Sequence, residues 1–454
     1  MRKLFFGFIL SQCFLLSGFY FQRGNQNVEY DNPSLYPQVL LTFLGVQYPS
    51  ENKAVTEHIL NNYSKSHPNI LVSYEWVPLR TYPCILKKRI CSNSLDDVFM
   101  LSLDSRYQVP EGVLADLSSL PTLAAYRQQV LAQMRKGDTI PYVTTSLGAF
   151  GLFCNLNMLE RNRLKVPQTL EEFLAACAAF HRIGITPLAV TRECLRALLI
   201  ARAYEPAVFG DANAFFHSLN TDEAFLRRTL LRGFLFLALL RDKEYFDVDD
   251  LVLIRENMPG MFFSAGEQPF MIGGSWFSPV LGKAQSAFRF SVFPLPVTSQ
   301  GAVTVLGLDT PLSVSSRGEH VPQAVQLVEG LTSPENILIF NDGQGGFSPL
   351  KNAPLPADKA VHPLWKSMDA GRGIFHSDIR LRYNLWHRLD SGIELILSGA
   401  SAEEATESVI QALHDAQQEK RENRENSHDD VTKAKPVYRL RRCLAFRGVV
   451  LDFV

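Results

Sequence analysis

The chain has 454 residues, 46% of them hydrophobic and 20% charged, with 45 Lys plus Arg against 46 Asp plus Glu. At about 150 residues per domain this length gives two or three domains with full cores, and it excludes a small disulfide-stapled module. The composition excludes wholesale disorder and a polytopic membrane protein, and a formal net charge of -1 supplies no overall field to attract nucleic acid or an anionic membrane.

Arg2 and Lys3 precede a largely apolar run from Leu4 to Phe21, a positive n-region and an apolar segment that address the chain to a membrane. The run is longer than a usual signal core, just suffices to span a thin bilayer, and is followed by no A-x-A-like cleavage site. Residues 1–24 therefore read as a signal peptide or as an anchor retained at residues 4–21. Cys13 follows Leu10-Ser11-Gln12, a poor lipobox, and reads as a lipidation site or a membrane-buried thiol. The positive end stays cytoplasmic, which places the remainder outside, secreted or at the cell surface. Cys84 and Cys91 bracket a short basic stretch and form either a local disulfide or two free thiols, whereas Cys154 and Cys177 read as small core residues.

Along the body, Val39 to Gly45 reads as a strand, and Val55, Ile59 and Tyr63 as one face of a helix that ends at His67-Pro68. Ile70 to Val77 alternates like a strand, a second helix passes Cys84, and Asp97 to Leu103 supplies another strand. This β-α-β-α-β opening predicts an α/β sheet, whose ligands bind beyond the carboxyl ends of its strands, here the loops 45–51 and 102–107. A strand from Gly148 to Asn155 follows. Thr169, with Glu172 three residues on, opens a helix that buries Phe173, Cys177 and Phe180, and Ile185 to Val190 reads as the next strand. Helices fill Phe215 to Leu240, and strands are expected at Phe270 to Ile272, Phe290 to Pro294, Val303 to Leu308 and Pro311 to Val314. Pro322 and Ser333-Pro334-Glu335 each open a helix, the second stopping before Gly343. Helices around Leu364, Tyr383 to Leu397 and Glu403 to Leu413 complete a second lobe of similar build. Between Asp415 and Pro436 charges dominate and Val431 is the one large apolar residue, so this stretch is a solvated helix extension or a disordered linker before a short tail.

No phosphate-loop, nucleophile-elbow, zinc-protease or C-x-x-C signature occurs, so no catalytic residue, metal or cofactor is assigned, and the scattered histidines read as surface or core residues. Trp276, after Gly273-Gly274-Ser275, sits on a loop at a strand end, where it either covers the apolar face of a sugar ring or wedges between helices. Asp104 lies just past a strand and serves either to accept ligand hydroxyls or to cap its own loop. Trp386 reads as a packing residue in the middle of a helix.

The ordered series of segments resembles the extracellular solute-binding proteins of ABC importers, of the sugar-binding, maltose-binding type, over Gln38 to Leu413. It rests on Ala54 to Val77, Asp96-Asp-Val-Phe, Gly112-Val-Leu-Ala-Asp-Leu117, Gly151-Leu-Phe-Cys-Asn155, Val166-Pro-Gln-Thr-Leu-Glu-Glu-Phe173, Gly184-Ile-Thr-Pro187, Phe270-Met-Ile-Gly-Gly-Ser-Trp276, Ser333-Pro-Glu335 and Gly345-Gly-Phe-Ser-Pro349. The resemblance implies a two-lobed α/β fold, with lobe 1 at 37–146 and 305–347, lobe 2 at 147–304 and 348–415, and residues 416–454 outside both. The lobes would rotate about Thr144 to Gly148, Gly301 to Gly307 and Gly345 to Pro349 and close on a carbohydrate. Matched residue by residue, the ligand contacts fall on Gln47, Tyr48, Asp104, Arg192, Glu193, Trp276, Gln344 and Gly345. The implied protein is a monomer rather than an enzyme and hands its ligand to an ABC permease. A retained leader would instead make it a membrane-anchored carbohydrate-sensing receptor domain.

Overall fold

The structure is a computed structural model that describes residues 39–47, 52–101, 109–110, 112–253, 263–283 and 288–430. The leader, Tyr48, Asp104, Cys13, Cys443 and residues 431–454 lie outside the described residues.

The chain opens with β1 (Val39–Gln47), α1 (Asn52–Ser66), β2 (Ile70–Pro78), α2 (Tyr82–Cys91) and β3 (Val98–Met100). β1 pairs in parallel with both β2 and β3, as the β-α-β-α-β reading predicts. β3 is shorter than the expected run. The Asp97 carboxylate turns back to accept from the Thr42 amide (2.9 Å) and hydroxyl (2.8 Å), so ladder pairing begins one residue later. Tyr82, fully buried at the start of α2, donates to the Met100 carbonyl and pins that helix to the end of β3.

α3 (Gln128–Met134) leads into β4 (Val143–Asn155), all thirteen residues of which are buried. In α4 (Leu170–Arg182) the Thr169 hydroxyl accepts from the Glu172 amide at 3.3 Å, while Glu172 reaches back to the Gln168 amide at 2.7 Å. Phe173, Cys177 and Phe180 are fully buried, and the two phenyl rings pack on Phe270. The strand expected over 185–190 is only β5 (Leu188–Ala189), because the Ile185 amide is spent on the Phe180 carbonyl closing α4. A helical layer follows, α5 (Arg192–Ala203), α6 (Ala212–Thr221) and α7 (Glu223–Asp242), then β6 (Phe270–Gly274), α8 (Phe277–Lys283), β7 (Phe290–Phe293) and β8 (Leu295–Thr298).

The two strands expected at Val303 to Leu308 and Pro311 to Val314 form a single strand, β9 (Gly301–Val314). Pro311 has no amide to donate, yet its carbonyl accepts from Leu101 at 2.7 Å, and β4 pairs with β9 on both sides of it. α9 (Val321–Leu331) and α10 (Pro334–Gln344) come next. α10 runs past Gly343, because the residue that takes the left-handed conformation closing it is Gly345, at φ 67°. After α11 (His362–Asp369) and β10 (Gly373–Phe375), the expected helix over 383–397 begins only at Leu389, as α12 (Leu389–Leu397). α13 (Ala402–Asp430) carries the charged stretch as helix through Asp430, the helical of the two alternatives, and buries Ala405, Val409 and Leu413 before it.

The strands form one mixed sheet of order β2-β1-β3-β9-β4-β6-β5, with β7 on β4 and β8 and β10 on β9. Two clusters of buried side chains flank it. One gathers β1–β3, α1, α9 and alternate residues of β4 and β9, and continues under β6 and β7 through Phe153, Met271 and Val292. The other joins the opposite residues of β4 and β9, such as Phe150, Leu152, Val303 and Val305, to α4–α7, α12 and α13. β4 and β9 are thus common to both, and with the segment after α10 they make the crossovers. No helix among the described residues is long and apolar enough to cross a membrane.

Cys84 and Cys91 are free and exposed. Seven residues apart on α2, they stand about 10 Å apart along the axis, beyond the roughly 7 Å that a disulfide spans. Cys154, Cys177 and Cys194 are buried, and burial pushes their thiols up, that of Cys194 to about 12. Alkylation of the folded protein at pH 8, read by peptide mass spectrometry, should mark Cys84 and Cys91 and spare these three until denaturant is added. A linked 84–91 peptide would contradict the helix geometry.

Candidate functional site

β4 and β9 run antiparallel in a register that sets Gly148 opposite Gly307 and Phe150 opposite Val305. Alternation puts each of these pairs on one face of the sheet. Lacking side chains, the two glycines leave a shallow floor, and two aromatic rings occupy the space above it. β6 continues its pairing one residue beyond Gly274, the Ser275 amide donating to the Ala149 carbonyl at 2.7 Å. That contact turns Trp276 back over the sheet, where its indole lies against Gly274 and against Gly148, whose added Cβ would stand 3.0 Å from it. From the other side the His376 amide, just past β10, bonds the Leu306 carbonyl at 3.0 Å, so its imidazole covers Gly307.

Four rings form a continuous wall. Phe150 meets Trp276 edge to face at 5.1 Å and Trp386 at 5.8 Å, and Trp386 stacks on His376 at 4.1 Å. The Arg196 guanidinium lies 4.7 Å over the Trp386 ring and forms an ion pair with Asp390, whose carboxyl is raised by burial against the lowering pull of that arginine. Phe150, His376 and Trp386 are buried, and Trp276 is only half-buried. A half-exposed indole braced by buried rings presents a rigid apolar face to whatever lies above it.

The sequence-predicted residues divide in three. Trp276 and the Gln344–Gly345 turn come together: a Cβ at Gly345 would meet the Ser275 carbonyl and Pro279, each at 2.8 Å. Gln344 is buried and its Nε2 has no hydrogen-bond partner among the described residues. Arg192 and Glu193 open α5 beyond the end of β5, and Arg192 is held by Glu394 at 2.7 Å in an exposed ion pair, one helical turn from Arg196 rather than on the aromatic wall. Gln47 is exposed at the carboxyl end of β1, two strands from β9 in the sheet order, while Tyr48 and Asp104 fall outside the described residues.

Sequence reading did not single out His376, and its reading of Trp386 as a packing residue holds, the ring being 5% exposed in the core. Trp386 is not inside a helix; it lies in turns ahead of α12, which frees it to stack on His376. The one local signal for His376 was the short run Gly373-Ile374-Phe375, a strand whose carboxyl end is followed by a titratable ring. Among the described residues no group of three or more His, Cys, Asp or Glu is placed to hold a metal ion.

The fold aligns over most of its length with solved two-lobed binding proteins. A Bacillus subtilis binding protein in an open conformation aligns with 86% of this chain and 100% of its own at a TM-score of 0.69 and 13% identity. The GacH receptor of Streptomyces glaucescens, solved unliganded and with acarbose, aligns over 83% of this chain and 97% of its own, with a TM-score of 0.65 and 19% identity. A sugar transporter from Bacillus licheniformis in complex with stachyose aligns over 82% and 99%, with a TM-score of 0.64 and 14% identity. No curated protein matches the chain by sequence. A family model described as bacterial extracellular solute-binding protein matches residues 61–367, about two thirds of the chain. The chain therefore belongs to the bacterial extracellular solute-binding protein family.

Proposed function

We propose that the protein captures a carbohydrate outside the cytoplasm and delivers it to the permease of an ABC importer. The observation that carries this reading is the half-exposed Trp276, braced by Phe150, His376 and Trp386 above the Gly148–Gly307 floor. A sugar ring offers C–H faces to such an indole, and burying them gains free energy without rigid polar matching. Solved relatives of the same fold carry stachyose and acarbose, which supports the substrate class. In this reading Gln344 and Gly345 border the site beside Trp276, Arg192 and Glu193 stand at its margin beyond the aromatic wall, and Gln47 faces them across a cleft. The apolar run at residues 4–21 is the export signal, cleaved or retained as an anchor. The lobes close by rotation where β4, β9 and the segment after α10 cross, and the protein acts as a monomer.

Two measurements test the reading together. Isothermal calorimetry with raffinose, stachyose, acarbose and chitin oligosaccharides should give saturable binding for at least one. Small-angle scattering with that sugar should show a smaller radius of gyration, as hinge closure requires. Failure of the whole panel, with no sugar found by native mass spectrometry of the purified protein, would overturn the carbohydrate assignment. Identical scattering curves at saturation would overturn the closure.

A further inference from the structure

β9 carries an acidic side chain, Asp309, for which neither the packing nor the aromatic wall has a use. Side chains alternate along the strand: Val303 and Val305 enter the second cluster, Gly307 lies beneath His376, and Asp309 is the next residue on that face. Its register partner is Ser146, two residues along β4 from Gly148. The carboxylate therefore stands directly beyond the floor that Trp276 and His376 cover, toward the lobe of β1–β3. It is half-buried, and among the described residues its Oδ1 accepts one hydrogen bond, from the Thr310 amide at 2.8 Å.

Its immediate setting among the described residues is rigid and carries no charge. Thr144 donates its hydroxyl to the Asp309 carbonyl, and the Thr145 and Thr310 hydroxyls bond each other at 2.6 Å. Thr310 itself sits at φ 44°, a conformation unfavourable for a β-branched residue, which these contacts hold in place and which presents its amide to Asp309. Among the described residues Thr144, Ser146 and Asn341, the polar side chains that β4 and α10 bring to this region, carry no charge; on the same face stand His376, over Gly307, and, behind Trp386, the Arg196–Asp390 ion pair. Burial alone pushes the Asp309 carboxyl up, to about 6, with only the Thr310 amide acting against it. A carboxylate held this way, with no cation and no further donor among the described residues, is an acceptor in want of donors.

We propose that Asp309 is a ligand-binding, specificity-determining residue whose carboxylate accepts hydrogen bonds from the hydroxyl or ammonium donors of a saccharide lying against Trp276. The proposal rests on the carbohydrate reading and adds to it a fixed charge at a named position. In the free protein the raised carboxyl contributes stability below its ordinary range, and that contribution is lost as the pH rises through about 6. Bound donors favour the ionised form, so the carboxyl titrates lower in the complex. Binding near pH 6 then releases a proton, and affinity falls as the pH drops below 6, approaching about tenfold per unit.

The test is calorimetry on the full chain at pH 6, in two buffers of different ionisation enthalpy, with the panel above and with the amine-bearing, deacetylated form of a chitin oligosaccharide. Wild-type protein should release a proton on binding. Asp309→Asn, which preserves shape and loses charge, should abolish the release and bind at least about tenfold more weakly at pH 7.5, with its melting temperature taken as the check on folding. Preference for the amine-bearing form that disappears in Asp309→Asn identifies ammonium as the donor; equal losses for both forms identify hydroxyl. Sugar binding without proton release and with unchanged Asp309→Asn affinity overturns this proposal alone. If no saccharide binds, the carbohydrate reading fails and takes this proposal with it.

Discussion

Trp276→Ala should weaken binding of the sugar identified from the panel by about 1.5–3 kcal/mol, the value of burying a large apolar side chain, which is a factor of roughly ten or more in Kd. The direction follows from where the indole sits. Trp276 is half-buried and leans on two glycines, so its removal uncovers Gly148 and Gly274 without opening a sealed core. Its stability cost is then confined mainly to the edge-to-face contact with Phe150, about 0.5–1.5 kcal/mol. Trp386→Ala is the informative contrast. That ring is 5% exposed and is enclosed by Phe150, His376 and Arg196, so its loss leaves a cavity and should cost about 3–5 kcal/mol of stability. Thermal unfolding and calorimetry on both variants separate the two roles. Unchanged affinity in Trp276→Ala would remove the indole from the site.

The two tryptophans also mark what could be read in the sequence. Trp276 was legible because its cue is local: two glycines and a serine after an apolar run put an aromatic residue at a strand end. The strands and helices of both lobes were legible for the same reason, since apolar runs and caps such as Thr169 and Ser333 act over a few residues. Trp386 looked helical because Leu385, Leu389, Ile393 and Ile396 recur at helical spacing, yet the chain turns there and α12 starts only at Leu389. β9 looked like two strands because Asp309-Thr310-Pro311 is poor strand sequence. Its continuity is imposed by β4 and β3 on either side, a tertiary effect with no local trace. The floor itself depends on the Gly148–Gly307 pairing, and such a long-range register cannot be read from either strand alone.

Gly346→Ala should lower stability by about 2–5 kcal/mol, the sum of overpacking and of buried hydrogen bonds left unmade. Gly346 lies in the segment after α10, directly against β4. A Cβ there would overlap the Ser146 hydroxyl and stand 3.0 Å from Asn341 Oδ1. Neither neighbour can retreat cheaply. Ser146 donates to Asn341 Oδ1 at 2.8 Å, and Asn341 in turn donates to the Thr145 carbonyl at 3.1 Å. β4 is fixed beside them by reciprocal 2.8 Å bonds between Leu147 and Phe347. The melting temperature should therefore fall by several degrees. Gly282→Ala, at an exposed helical glycine with open space around it, should leave stability unchanged or slightly raised. The decisive variant is the double one. Ser146→Ala removes the overlapping hydroxyl, so adding it to Gly346→Ala should recover part of the loss, and the two changes should be clearly non-additive in a double-mutant cycle. Strict additivity would mean that the hydroxyl is not what the new methyl meets, and that Gly346 owes its place to something other than the close passage of the crossovers.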